Sequence, residues 1–207
     1  MLHSNKHQGV TGRQLWERIN NLHWELRLGI STRGIVDVRR RDSAHYATVN
    51  YSTVWRVLNH LALAPSDTFV DIGCGKGRIL CCAARYPCKQ VVGVDLSAGL
   101  CADARANAER VRGRKAPILV YQGNAESFDY SDATVCFLFH PFGATTLDLV
   151  LDKIRQDTRE RGVRIAFENP DTAQQTVFAR HGWLDRYAFW DRRTHRTQHS
   201  VAFYRTP

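Results

Sequence analysis

Residues 69–80 read FVDIGCGKGRIL, and this segment constrains the fold more than any other part of the chain. Phe69, Val70 and Ile72 form a short apolar run suited to a buried strand, with Asp71 at its end. Gly73, Gly75 and Gly77 follow at alternate positions, and an apolar helical pattern begins at Ile79. A glycine turn between strand and helix lets a ligand approach the backbone where a Cβ would collide. The helix end beyond it offers free N–H groups and a positive dipole end. Two common versions of this turn are excluded by spacing. The dinucleotide fingerprint is G-x-G-x-x-G, whereas this turn is D-x-G-x-G-x-G. A P-loop needs Ser or Thr after its Gly-Lys, and Lys76 is followed by Gly77.

Further buried strands alternate with helical patterns down the chain. Val91 to Val94 form a strand ending at Asp95, 24 positions after Asp71. A carboxylate at that place is the usual ribose-hydroxyl acceptor in doubly wound folds. Ser97 is placed to cap the next helix, with Leu100, Ala104, Ala108 and Val111 as its buried stripe and Gly113 as its stop. Strands are expected over residues 117–121, 133–139 and 163–167, and two more over 183–190 and 199–204. Helices are expected around Leu147, Val150, Leu151 and Ile154, and around 173–179 before Gly182. This alternation predicts an α/β fold: a doubly wound, mostly parallel seven-stranded sheet ending in an antiparallel hairpin. Upstream, a helix after Thr11 would place Leu15, Ile19, Leu22 and Leu26 on one face. Residues 29–41 break that period as a loop or lid, and a second helix runs over about 52–63. The expected organisation is a helical extension and lid over 1–50, followed by one domain over 51–207.

The glycine segment resembles motif I of the class I S-adenosylmethionine (SAM) methyltransferases, and the likeness extends over roughly residues 46–204. The resemblance implies SAM as cofactor. Asp71 would hold the methionine amino group, and Gly73, Cys74, Gly75 and Gly77 would admit the methionine and ribose. Asp95 and Leu96 would border the ribose, and Asn124 and Ala125 the adenine. Ligands in such sheets bind beyond the carboxyl ends of the strands. There the segment FLFHPFG, 137–143, occupies the place of the family's Asn/Asp-Pro-Pro-Tyr/Phe motif. His140 replaces the Asn or Asp and only one proline, Pro141, follows, which argues against adenine or glutamine N-methylation. Phe142 is suited to stack on a planar or cationic acceptor. His140 is either a general base or a loop residue, and Glu168 after the fifth strand is the other candidate acid-base group. Tyr51, with Tyr46 upstream, resembles the segment that closes over the cofactor in DOT1-like lysine methyltransferases. Arg192, Arg193 and Arg196 lie at the hairpin tip, which the fold would set beside the acceptor.

Composition bounds the partners. The 207 residues carry 29 basic and 20 acidic side chains, a net charge of +9. Residues 51–150 are nearly neutral, with ten basic and nine acidic residues, so the excess lies on both flanks. A basic flank attracts acidic or nucleic-acid partners. No run of 18 apolar residues spans a membrane, and the first residues lack a signal-peptide pattern. The six cysteines show neither a disulfide framework nor a C-x₂-C zinc pair, which points to a reducing, cytoplasmic setting without a metal. The expected activity is methyl transfer to a nitrogen or oxygen nucleophile of a protein side chain or small metabolite. RNA methylation and a catalytically silent SAM-binding scaffold are the alternatives.

Overall fold

The computed structural model describes residues 12–34, 48–159 and 161–207. Seven strands form one sheet in the order β3-β2-β1-β4-β5-β7-β6. They are β1 (Thr68–Ile72), β2 (Gln90–Asp95), β3 (Ile118–Gln122), β4 (Val135–Phe139), β5 (Arg164–Glu168), β6 (Asp185–Trp190) and β7 (Val201–Arg205). The first five run parallel; β7 pairs antiparallel with both β5 and β6. Strand β4 is a continuous apolar run and β1 is buried along its whole length, because both faces of the central sheet are covered.

Helices α2 (Tyr51–Leu61), α3 (Arg78–Ala83) and α4 (Ala98–Arg110) cover one face. The core there joins Val54, Val57, Leu58 and Leu61 to Phe69, Phe137, Ala166 and Phe203. Helices α5 (Ala144–Asp157) and α6 (Thr172–Arg180) cover the other. There Leu147, Val150, Leu151 and Ile154 pack on Val70, Ile72, Leu138 and Phe167, as their helical spacing predicts. Asp71 and Glu168 each lie two residues beyond a member of the first core, so both point to the α2 side of the sheet.

The expected elements are present, with shifted ends. Ser97 caps α4 by accepting from Leu100 N at 3.3 Å. That helix stops at Arg110 rather than at Gly113, because Val111 turns to extended backbone and buries against the core. Trp183 precedes β6 instead of opening it; its indole N–H donates to His181 Nδ1 at 3.0 Å. Among the described residues no helix is long and apolar enough to cross a membrane. All six cysteines are free and buried.

Helix α1 (Gly12–Leu28) has the stripe of Leu15, Ile19, Leu22 and Leu26 that the sequence shows, but the stripe faces outward. The opposite, largely polar row docks on the domain. Ser52 Oγ donates to Glu17, Tyr51 N donates to Asn21 Oδ1 at 3.0 Å, and Glu25 and Leu28 are buried. The expected lid over 29–41 is described as far as residue 34. Residues 35–41, and Tyr46, lie outside the described residues.

Candidate cofactor and acceptor site

The glycine turn folds back over β2. Gly73 N and Cys74 N both donate to Val94 O, at 2.8 and 3.1 Å. Gly73, Gly75 and Gly77 all have positive φ, at 80°, 53° and 78°. This geometry excludes branched residues at Gly75. At Gly73 an added Cβ would stand 2.5 Å from Pro141 Cβ, so the glycine turn and the loop after β4 are in direct contact. The sequence places these two loops 68 residues apart; the sheet brings them together.

Two carboxylates stand at the neighbouring ends of β1 and β2. Asp71 is buried, and its pKa is raised well above the ordinary value by desolvation and then by the charge of Asp95. Asp95 is also raised by burial, which its backbone hydrogen bonds partly oppose. Its two oxygens accept from Gly75 N and Ser97 N, both at 2.9 Å, and so lock the turn to the start of α4. Each carboxylate oxygen has a second lone pair for a ligand hydroxyl. Among the described residues no ion pair reaches either acid. A buried acid beside a second acid, with no cation, fits a ligand that brings an ammonium group and a diol. Leu96 lies in the following turn, half-buried. Gly123 N donates to Asp95 O at 3.0 Å, which draws Asn124 and Ala125 to the same edge. Asn124 is exposed and opens a 3₁₀ turn over 125–127; Ala125 O accepts from the Tyr130 hydroxyl at 2.8 Å.

The buried side of this cradle is tied to α1. Arg78, first residue of α3, is almost fully buried. Its Nε donates to Thr32 Oγ1 at 2.7 Å, Nη1 to Val49 O at 2.8 Å, and Nη2 pairs with Glu25 Oε1 at 3.2 Å. The same guanidinium lies 4.5 Å from the centroid of the Tyr51 ring. The structure therefore places Tyr51 in the wall between α1, α2 and α3. Burial raises its hydroxyl pKa further. Residues 31–33 cross the glycine turn: Asn107 Nδ2 donates to both Ser31 O and Lys76 O.

The loop facing the glycine turn follows β4. His140 has φ 39° and its Nδ1 lies 3.1 Å from Asn169 O. A carbonyl only accepts, so Nδ1 carries the hydrogen and Nε2 is the basic nitrogen. Phe142 O accepts from the buried Gln174 Nε2 at 2.7 Å, and Gln174 also closes a capping box with Asp171 at the start of α6. The Pro141-Phe142 backbone is thereby held from two sides. Glu168 pairs in register with Phe139 on β4 and Val201 on β7. It is fully buried, neither carboxyl oxygen has a hydrogen-bond partner among the described residues, and desolvation drives its pKa well up.

The β6–β7 connection closes the rim. Trp190, at the end of β6, pairs in register with Val201, which places this connection at the same sheet edge as Glu168. Gln198 accepts from Asn50 N at 2.6 Å and donates from its backbone to Thr53 Oγ1 at 2.9 Å, which clamps it on the start of α2. Arg192, Arg193 and Arg196 are exposed. His199, which sequence reasoning passed over, stands 5.4 Å from the Phe139 ring. Its pKa is lowered by burial, then by the charges of Arg192 and His140. Arg192 and His140 therefore lie within electrostatic reach of His199.

A seven-stranded sheet with β7 antiparallel, a glycine turn after β1 and acids ending β1 and β2 define the class I SAM-dependent methyltransferase fold. Residues 69–162 match the family model of a methyltransferase domain. A protein-lysine N-methyltransferase of Saccharolobus islandicus (strain REY15A) is 34% identical over 97 residues, 45% of this chain and 58% of that protein. A histone-lysine N-methyltransferase of Caenorhabditis elegans, specific for H3 lysine-79, is 38% identical over 56 residues, 27% of this chain and 6% of that protein. The alignments thus span little more than half of the archaeal protein's length and a small part of the nematode's. Among solved structures, an RNA methyltransferase from Salinibacter ruber in complex with S-adenosyl-L-homocysteine superposes with a TM-score of 0.59 at 24% identity. That superposition covers 78% of this chain and 94% of the other.

Proposed function

We propose that the protein transfers a methyl group from SAM to an amine nitrogen of a protein side chain. The observation that carries this reading is Glu168, a buried carboxyl without a hydrogen-bond partner among the described residues, at the strand end beside the His140-Pro141-Phe142 loop. An amine brings the N–H groups that such a carboxyl lacks. The lysine-directed names of the two sequence relatives support the same acceptor. Asp71 would hold the amino group of SAM and Asp95 its ribose hydroxyls, with Gly73, Cys74, Gly75, Gly77 and Leu96 around them and Asn124 and Ala125 at the adenine. SAM supplies an electrophilic methyl group on a sulfonium, so the protein needs only to align the nucleophile and free its lone pair. Burial moves Glu168 toward the pH range in which a carboxylate is an effective base. Glu168 or His140 Nε2 would take the ammonium proton, while Pro141 and Phe142 position the amine. Tyr51 acts through Arg78 on the shape of the cradle rather than on the acceptor. The described part of the 1–50 extension, residues 12–34, would serve as a cover over the 51–207 domain, held by the Glu25–Arg78 pair.

RNA is the second reading, favoured by exposed Arg192, Arg193 and Arg196 on the rim. Incubating the protein with methyl-labelled SAM and a cell lysate, then separating protein, RNA and small molecules, distinguishes these. Label in the protein fraction, released as methyl-lysine on acid hydrolysis, is the expected result. Label confined to RNA or small molecules would replace the acceptor proposed, and label in no fraction would leave a SAM-binding scaffold.

A further inference from the structure

Helix α1 is inverted relative to an ordinary surface helix. Its polar row Glu17, Asn21 and Glu25 is turned to the domain and hydrogen-bonded there. Its apolar row faces solvent: Leu15 is 54% exposed, Ile19 59%, Leu22 40% and Leu26 67%, with Trp16 at 53% on its flank. A surface helix of a globular protein normally does the opposite. Isolated exposed apolar residues need no explanation, but a contiguous row rimmed by polar residues marks an interaction surface.

The spacing of the row says what fits it. Positions 15, 19, 22 and 26 are separated by four, three and four residues. That is the alternating step of a coiled-coil seam. It also reads the same in both directions. A helix seam with palindromic spacing is complementary to an antiparallel copy of itself: Leu15 meets Leu26 of the other copy, and Ile19 meets Leu22. A twofold, isologous interface requires this self-complementarity. The five side chains expose roughly 500 Å² on one chain, so a twofold pair would bury about 1,000 Å², near the lower limit for a specific interface. Two of the flanking charges are engaged elsewhere, while Arg18 is exposed beside Ile19 at the edge of the seam. Arg13 donates to Thr197 O, and the Arg27 guanidinium lies 5.6 Å from the centroid of its own Trp24 ring.

From these observations we infer that the protein is a homodimer, paired through α1 helices that run antiparallel across a twofold axis. Because α1 also carries Glu25, the pairing stiffens the helix that holds Arg78 and the glycine turn.

Two experiments test this. Light scattering at roughly 100 μM chain, above the micromolar constants that interfaces of this size reach, should give twice the 23.6 kDa of one chain. The Ile19→Glu, Leu22→Glu double variant should give a monomer with an unchanged circular-dichroism spectrum, since both side chains are exposed in a single copy. Mild oxidation of a mixture of Leu15→Cys and Leu26→Cys chains should give the crosslinked heterodimer, with little crosslinking of Leu15→Cys alone. The native cysteines are buried and give little background. A wild-type monomer at that concentration would overturn the inference. So would a dimer that persists in the double variant, or one that Leu15→Cys alone crosslinks efficiently, which would mean a parallel pair.

Discussion

Replacing Asp71 by Asn is expected to cost at least about 30-fold in SAM affinity while making the ligand-free protein more stable. The two effects come from the same environment. Asp71 is buried beside Asp95 without a cation, so the ligand-free site holds two acids that desolvation and mutual repulsion penalise. The folded-state pKa of Asp71 lies above its unfolded value. An acid shifted upward favours folding below the unfolded pKa and loses that contribution as pH rises toward the folded pKa. Asn removes this loss, so the variant should melt higher than wild type at neutral pH. Binding runs the other way, because an ammonium group needs the carboxylate. Removing one partner of a buried charge pair costs about 2–5 kcal/mol, which is roughly 30- to several-thousand-fold. The wild type should also bind less tightly as pH falls through the raised pKa, and the variant should show no such slope. Thermal melts with and without S-adenosylhomocysteine read both effects. A variant that binds normally, or that is less stable without ligand, would remove Asp71 from its role.

The second large effect is expected at Glu168. Glu168→Gln keeps the shape but cannot take a proton, so turnover should fall by about 100-fold or more, the scale of general acid-base catalysis. SAM affinity should change little, because the proposed cofactor contacts lie at β1 and β2. Stability again follows the upward pKa shift. The wild type loses stability as pH rises above the ordinary glutamate range, whereas Gln does not titrate. The variant should therefore match wild type near pH 4 and melt higher at alkaline pH. Turnover within a few-fold of wild type would shift the base to His140. An equal melting temperature across the pH range would show that Glu168 finds a partner in solution.

The strand-end geometry of the candidate cofactor site was legible because its signals are local. Asp71, the three glycines and Asp95 sit at the ends of short apolar runs, and runs of four to six residues register correctly in a parallel sheet. The acceptor half depends on contacts between distant segments. His199 looked like the start of a strand; only the pairing of β7 with β5 sets it beside His140. Glu25 and Arg78 stand 53 positions apart with no local pattern joining them, yet they meet in the interior and fasten α1 to the start of α3. Periodicity showed that α1 has an apolar face but not which way it points, since the polar residues opposite it find hydrogen-bond partners on α2. Tyr51 sits where the sequence puts it, at the start of α2, but its ring is taken up by Arg78.

Calorimetric titration of the wild-type protein with SAM, S-adenosylhomocysteine, NAD and ATP tests the central claim most directly. The strand-end acids and glycine turn predict binding of SAM and S-adenosylhomocysteine with dissociation constants in the micromolar range, about −8 kcal/mol, and no measurable heat from NAD or ATP. Binding of NAD or ATP in place of SAM would contradict it.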